Sequence, residues 1–210
     1  MCFYSKQSKS ALELQNRFNA TFEDGNQYSP SVYNGFQFPK TPIIANTDTS
    51  KIQLFNWGLI PHWAKDNSIR KNTLNARIET IKEKPAFRDA VSNHCLVLVD
   101  GFYEWQWLDV KGKNKKKYLV TLPDYGAFAF AGLWSEWVDK TTGEMVKTYT
   151  VLTTEANELM SIIHNTEKRM PVILSRNNEI DWLTEKEFRN IEIELKATEI
   201  LKNGNPDFNL

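Results

Sequence analysis

The chain has 210 residues, with 26 Lys and Arg against 26 Asp and Glu, three His and two Cys. That length fits one domain with a sizeable core, and 41% hydrophobic with 25% charged residues is too apolar for a disordered chain. A formal net charge of zero excludes coating of nucleic acid by bulk electrostatics, so any nucleic-acid site must be a local patch. The longest apolar runs, Cys95–Val99 and Ala127–Trp134, fall far short of the roughly 20 residues of a membrane span. The start, Met1-Cys2-Phe3-Tyr4, lacks the apolar stretch of a secretory signal. Cys2 and Cys95 could pair, but two cysteines make no disulfide framework. A reduced, cytoplasmic protein is expected.

In chain order, Ser10–Phe18 sets Leu12, Leu14 and Phe18 among polar residues and predicts a helix. Gly25–Ser50, broken by Gly25, Pro30, Gly35, Pro39 and Pro42, reads as loop. Lys51–Trp57 reads as a strand followed by a turn through Gly58 and Pro61. Strands then follow at Cys95–Val99, Phe102–Leu108, Lys117–Leu122, Ala127–Leu133 and Val146–Leu152, separated by Gly101, Gly112, Pro123-Asp124 and Thr142-Gly143. Thr154 is expected to cap a helix over Glu155–Ile163, Met170–Leu174 to form a short strand, and two amphipathic helical stretches to end the chain. The expected class is α+β, with a β-rich centre and helices at its flanks.

Chemistry begins at Cys2. The initiator Met is generally removed ahead of a small residue, which leaves a Cys carrying two nucleophiles on adjacent carbons. The α-amine, with a reference pKa of about 7.7–8.0, is partly neutral at pH 7, and the thiol ionises near 8.5. Such a pair condenses with an aldehyde to a thiazolidine, or acts as an N-terminal nucleophile with the amine as base. In Leu74-Asn75-Ala76-Arg77-Ile78-Glu79-Thr80, Asn75 could orient an amine or an oxyanion and Arg77 could grip a phosphate, although a helix start with solvated charges is the plainer reading. Glu104, between Tyr103 and Trp105, is a candidate for desolvation and so for acid–base work, unless it is an edge-strand carboxylate in water. His164 closes the predicted helix, where the dipole favours the imidazolium.

His62, His94 and Cys95 form no metal-ligand spacing with one another, so no metal site is expected. Trp57 and Trp63 flank the Gly58–Pro61 turn, where an exposed indole could stack on a base or simply join the core. The basic run Lys111–Lys117 reads as a solvated hairpin turn.

Taken in order, several segments resemble the SOS-response-associated peptidase (SRAP) family, proteins that shield abasic sites in DNA. They are Met1-Cys2, Trp57–Trp63, Asn75–Thr80, Phe87-Arg88, Cys95 with Asp100–Trp105, Phe130–Trp134, Thr153–Asn157, Ile163-His164 and Arg169–Leu174. The resemblance implies a single domain over residues 1–210 with a barrel-like antiparallel core and peripheral helices. It also implies an enzyme-like activity in which the mature N-terminal Cys2 closes a thiazolidine crosslink with the ring-opened aldehyde of an abasic site in single-stranded DNA. Asn75 would hold the α-amine, Glu104 would move protons, and His164 would assist opening of the deoxyribose ring, crosslink reversal and AP-lyase chemistry. The peptidase label implies autoproteolytic removal of whatever precedes Cys2. Trp63, Arg77, Arg88 and Arg169 are the expected DNA-binding residues, with Arg77 on the backbone. No cofactor, no membrane partner and a monomer are expected. A cysteine peptidase acting on other proteins is the alternative reading.

Three departures from the family pattern stand out. Phe3-Tyr4 replaces the common Gly-Arg after Cys2, so a basic residue is missing at position four. Asn34-Gly35-Phe36-Gln37-Phe38-Pro39 alters the usual Asn-x-Ala-Pro stretch. The wider His164–Arg169 gap leaves the phosphate contact after the His open between Lys168 and Arg169.

Overall fold

The structure is a computed structural model that describes residues 2–23, 25–184 and 193–201. Its strands are β1 (Tyr4–Gln7), β2 (Thr21–Phe22), β3 (Ser31–Asn34), β4 (Lys40–Ala45), β5 (Lys51–Trp57), β6 (Asn75–Arg77), β7 (His94–Val99), β8 (Gly101–Trp107), β9 (Lys115–Thr121), β10 (Phe128–Val138), β11 (Met145–Glu155), β12 (Arg169–Pro171), β13 (Ile173–Leu174) and β14 (Lys196–Ile200). The helices are α1 (Ala11–Phe18), α2 (Glu158–Ile163) and α3 (Arg176–Leu183). None of the described helices is long and apolar enough to cross a membrane.

Strands β11, β10, β7, β4 and β5 pair in that order, and the ring closes where β5 meets β11, with Asn56 opposite Thr148 and Trp57 opposite Tyr149. The neighbouring pairs of this ring are antiparallel, as expected of the core; the closing pair is parallel. Strands β7 and β10 read as near-continuous apolar runs because both their faces are covered. On β7, Cys95, Val97 and Val99 join the apolar cluster that contains Cys2, Phe102 and Val120, whereas Leu96 and Leu98 join the one that contains Leu14 of α1 and Trp182 of α3. A second sheet, ordered β14-β9-β8-β1-β3, therefore lies against one face of the ring, and α1 and α3 against the other. Gly132 of β10 stands opposite Cys95, and a Cβ there would meet the Cys95 Sγ and the Thr150 carbonyl at 2.9 Å, so only glycine lets these strands close.

Helix α1 forms where the periodicity places it, with Ser10 and Glu13 in a reciprocal capping box. Gly25–Ser50 is more ordered than its breakers suggest and holds β3 and β4. Pro42 lies one residue before β4 meets β7, at a position where neither neighbour requires its missing N–H. Thr154 caps no helix. It stays in β11, opposite Met170 of β12, and the cap of α2 is Asn157, whose Oδ1 accepts from Met160 N at 2.9 Å. Asn75 begins not a helix but β6, which runs parallel to β11. Of the two helical stretches expected at the end, α3 is present and Lys196–Ile200 is a strand paired with β9; residues 185–192 and 202–210 lie outside the described ones. Cys2 and Cys95 are both buried thiols, not a disulfide.

Candidate active site

Cys2 enters β1, which is held on both sides: Tyr4 pairs with Asn34 of β3 and with Tyr103 of β8. The Cys2 side chain is 0% exposed, and its Sγ donates to the Tyr4 carbonyl at 3.7 Å. Burial pushes the thiol pKa up, and the nearby Glu104 charge adds to the shift. The pair thus interacts electrostatically.

Asn75 reaches the same place from the ring. Its Nδ2 donates to the Cys2 carbonyl at 2.9 Å, and its buried Oδ1 has no hydrogen-bond donor among the described residues. The backbone that carries it is tightly held. Trp57 Nε1 donates to the Leu74 carbonyl at 2.8 Å, Val151 N donates to the same oxygen at 3.1 Å, and β6 continues alongside β11. Trp57 is fully buried and stacks on Tyr149 across the ring closure.

Glu104 lies on β8 and is 5% exposed, with Oε1 accepting from the Trp105 amide at 3.2 Å. Desolvation by burial raises its carboxyl to about 7, the direction expected of a group with an acid–base role. Beyond Glu104, β8 grips the turn after α2. Gln106 Nε2 donates to the Ile162 carbonyl at 3.1 Å, Trp107 N to Asn165 Oδ1 at 3.0 Å, and Asn165 Nδ2 to the Trp107 carbonyl at 2.8 Å. One strand therefore carries Glu104 and positions His164.

His164 does close α2, its amide donating to the Met160 carbonyl at 2.7 Å, but the expected imidazolium is corrected here. The ring is buried at the end of a six-residue helix, and desolvation outweighs so short a dipole, lowering its pKa to about 4. The neutral ring accepts from the Arg169 amide at Nδ1, 3.1 Å away, which leaves its proton on Nε2. His164 is thus a neutral hydrogen-bonding group at pH 7, not a cationic acid.

The expected DNA-binding residues divide. Arg77 is exposed beside the His164–Lys168 turn, 3.8 Å from Glu167. Arg169 is not available as a phosphate contact: its guanidinium is 9% exposed, grips both Glu79 oxygens at 2.9 and 2.8 Å, and donates to the Thr153 carbonyl at 2.7 Å. Lys168 is the exposed cation of that turn. Trp63 and Arg88 are exposed elsewhere, around His62 and Asp89, which border a cavity of about 210 Å³ that none of Cys2, Asn75, Glu104 and His164 lines. In the basic hairpin Lys111, Lys113 and Lys115 are exposed, but Lys117 is not. It is 3% exposed, over the Tyr103 and Trp105 rings at 4.4 and 5.6 Å. Among the described residues no group of three His, Cys, Asp or Glu side chains is placed to hold a metal ion.

Residues 1–204 match the family described as SOS response associated peptidase (SRAP). The chain belongs to the SRAP family. It is 44% identical over 145 residues to the abasic site processing protein YoqW of Bacillus subtilis, an alignment covering 69% of this chain and 62% of that one. It is 29% identical over 195 residues to the abasic site processing protein HMCES of Gallus gallus, covering 80% and 55%. The SRAP chain thus spans only 62% and 55% of the length of these curated relatives. A crystal structure of a Bacteroides thetaiotaomicron protein superposes with a TM-score of 0.83 at 33% identity, covering 96% of this chain and 93% of that one.

Two features of this SRAP site have no signal in the single sequence. One is the clamp of β8 on α2 and its following turn, made by two ordinary surface amides, Gln106 reaching the Ile162 carbonyl and Asn165 the Trp107 backbone. The other is the Glu79–Arg169 pair, 90 residues apart in the chain, which decides that Lys168 is the turn's exposed cation.

Proposed function

We propose that this SRAP domain senses abasic sites in single-stranded DNA and shields them by a covalent thiazolidine crosslink through Cys2. The observation that carries the reading is the convergence of Asn75 and Glu104 on a buried Cys2. Removal of whatever precedes Cys2, by hydrolysis of the preceding peptide bond, frees the α-amine. The buried Asn75 Oδ1 then has a donor to receive, and it turns the amine toward the aldehyde.

The amine adds to the C1′ aldehyde of the ring-opened deoxyribose, and the carbinolamine loses water to give an iminium. The Cys2 thiolate adds to the same carbon, so the sulfur and nitrogen both end on C1′ and one water leaves overall. Glu104, poised near pH 7, takes a proton from the ammonium and the thiol and returns one to the departing hydroxyl. His164, through its Nε2–H, hydrogen-bonds the deoxyribose oxygen as the sugar opens. Thiol addition removes the iminium that would drive β-elimination and break the strand; the same iminium accounts for AP-lyase side activity. The backbone approaches along Arg77 and Lys168, with Trp63 and Arg88 on a more distant stretch. The domain works as a monomer in the cytoplasm.

Cys2→Ala is expected to abolish the denaturation-resistant adduct with a single-stranded oligonucleotide carrying one abasic site, while retaining affinity for that strand. Undiminished adduct from Cys2→Ala, or turnover of an added peptide without DNA, would contradict the proposal. Arg77→Ala is expected to weaken single-strand binding and to reduce the slope of log affinity against log salt by about 0.7. An unchanged slope would remove Arg77 from the backbone contact.

A further inference from the structure

The mechanism leaves unused an exposed aromatic packed on Phe3, the residue that follows the nucleophile. Phe36 is 52% exposed, and its ring centroid stands 4.8 Å from that of Phe3, tilted by 33°. Phe3 directly follows Cys2 and is half-buried against the same apolar cluster. The turn that presents Phe36 is rigid. Gly35 N donates to the Phe3 carbonyl at 2.8 Å, Phe36 N to Asn34 Oδ1 at 3.0 Å, and Phe38 N to the Gly35 carbonyl at 2.9 Å. Phe38 takes the left-handed φ of 52°, uncommon for a bulky residue, and Arg70 holds it there, with its guanidinium 4.3 Å over the ring and Nη2 donating to the Phe38 carbonyl at 3.3 Å. A Cβ on Gly35 would sit 3.3 Å from the Phe3 carbonyl and 3.4 Å from the Trp57 ring, so the turn packs closely against the start of the chain. The backbone is thus organised to hold a large apolar ring in water against Phe3, the residue that follows Cys2.

What covers that ring follows from the covalent reading, on which this inference rests. A strand joined to Cys2 through C1′ carries its next nucleotide past the residue beside Cys2. That nucleotide's base lacks a stacking neighbour on the abasic side, so one of its faces is uncovered. We infer that Phe36, backed by Phe3, is the stacking platform for the base flanking the abasic position. It replaces the stack that base loss removes. Every base has a π-face, so the platform distinguishes a base from no base and is tolerant of which base it is.

The test measures adduct formation rates for the wild type, Phe36→Ala and Phe36→Trp. The substrates are single-stranded oligonucleotides with one abasic site whose 5′ or 3′ neighbour is either adenine or a tetrahydrofuran spacer, which has no aldehyde to react. The wild type is expected to react about tenfold faster with adenine than with the spacer on one of the two sides. Phe36→Ala should lose that preference and Phe36→Trp keep it. Equal wild-type rates on both sides, or full preference in Phe36→Ala, would overturn the platform while leaving the crosslink intact. Absence of adduct with every oligonucleotide would instead overturn the covalent reading and this inference together.

Discussion

Glu104→Gln is expected to slow crosslink formation by about 10²–10⁴-fold, the range a positioned proton-transfer group contributes. The substitution preserves shape and removes only the titration. In the wild type the rate should rise between pH 5 and 8 through a group near 7, because desolvation holds Glu104 protonated well above its ordinary range. The Gln variant should lose that inflection and retain only the titration of the Cys2 amine and thiol. The sign for stability is opposite. A carboxyl whose folded pKa lies above its unfolded one binds more protons when folded, so the native state loses stability as pH rises from the ordinary carboxylate range through about 7. Glu104→Gln should therefore melt at a temperature less dependent on pH in that window. Identical pH–rate profiles for the two proteins would leave Glu104 without a role in proton transfer.

The second large effect concerns the frame behind the site. Trp57→Ala is expected to destabilise the protein by about 3–5 kcal/mol, read from chemical denaturation. The indole is fully buried, stacks on Tyr149 where the ring closes, and donates to the Leu74 carbonyl directly before Asn75. Truncation opens a cavity and also removes one donor from that carbonyl. A loss below about 1 kcal/mol would show that the closure of β5 on β11 does not depend on this ring.

The residues that could be read without a structure share a physical reason. Strands β7 and β10 are buried on both faces, so their apolar runs stand out; β5 and β11 show through β-branched and aromatic residues, and α1 carries its own cap. Strands β6 and β14 are short or polar and owe their existence to partners far away in the chain, whereas β4 pairs with the neighbouring β5 but carries Pro42, which reads as a breaker. At the site, the desolvation expected of Glu104 is found, but it comes from burial on the face of β8 opposite the Tyr103 and Trp105 rings, which lie under Lys117. His164 misled because its position at a helix end suggested the dipole, whereas the burial that decides its pKa comes from tertiary packing. Arg169 misled for the same reason, since only the fold brings Glu79 to it. Phe36 sat in a stretch that reads as loop, and no pattern in the sequence indicates a ring held over Phe3.

The most direct test of the central claim is the intact mass of the protein, alone and after mixing with a single-stranded oligonucleotide bearing one abasic site, beside an undamaged control. The account predicts a free protein that begins at Cys2. It also predicts a denaturation-resistant species, formed only with the abasic strand, whose mass is that protein plus the oligonucleotide minus one water. A free protein that begins at Cys2 and gives no adduct, or an adduct of equal yield with the undamaged strand, would contradict it.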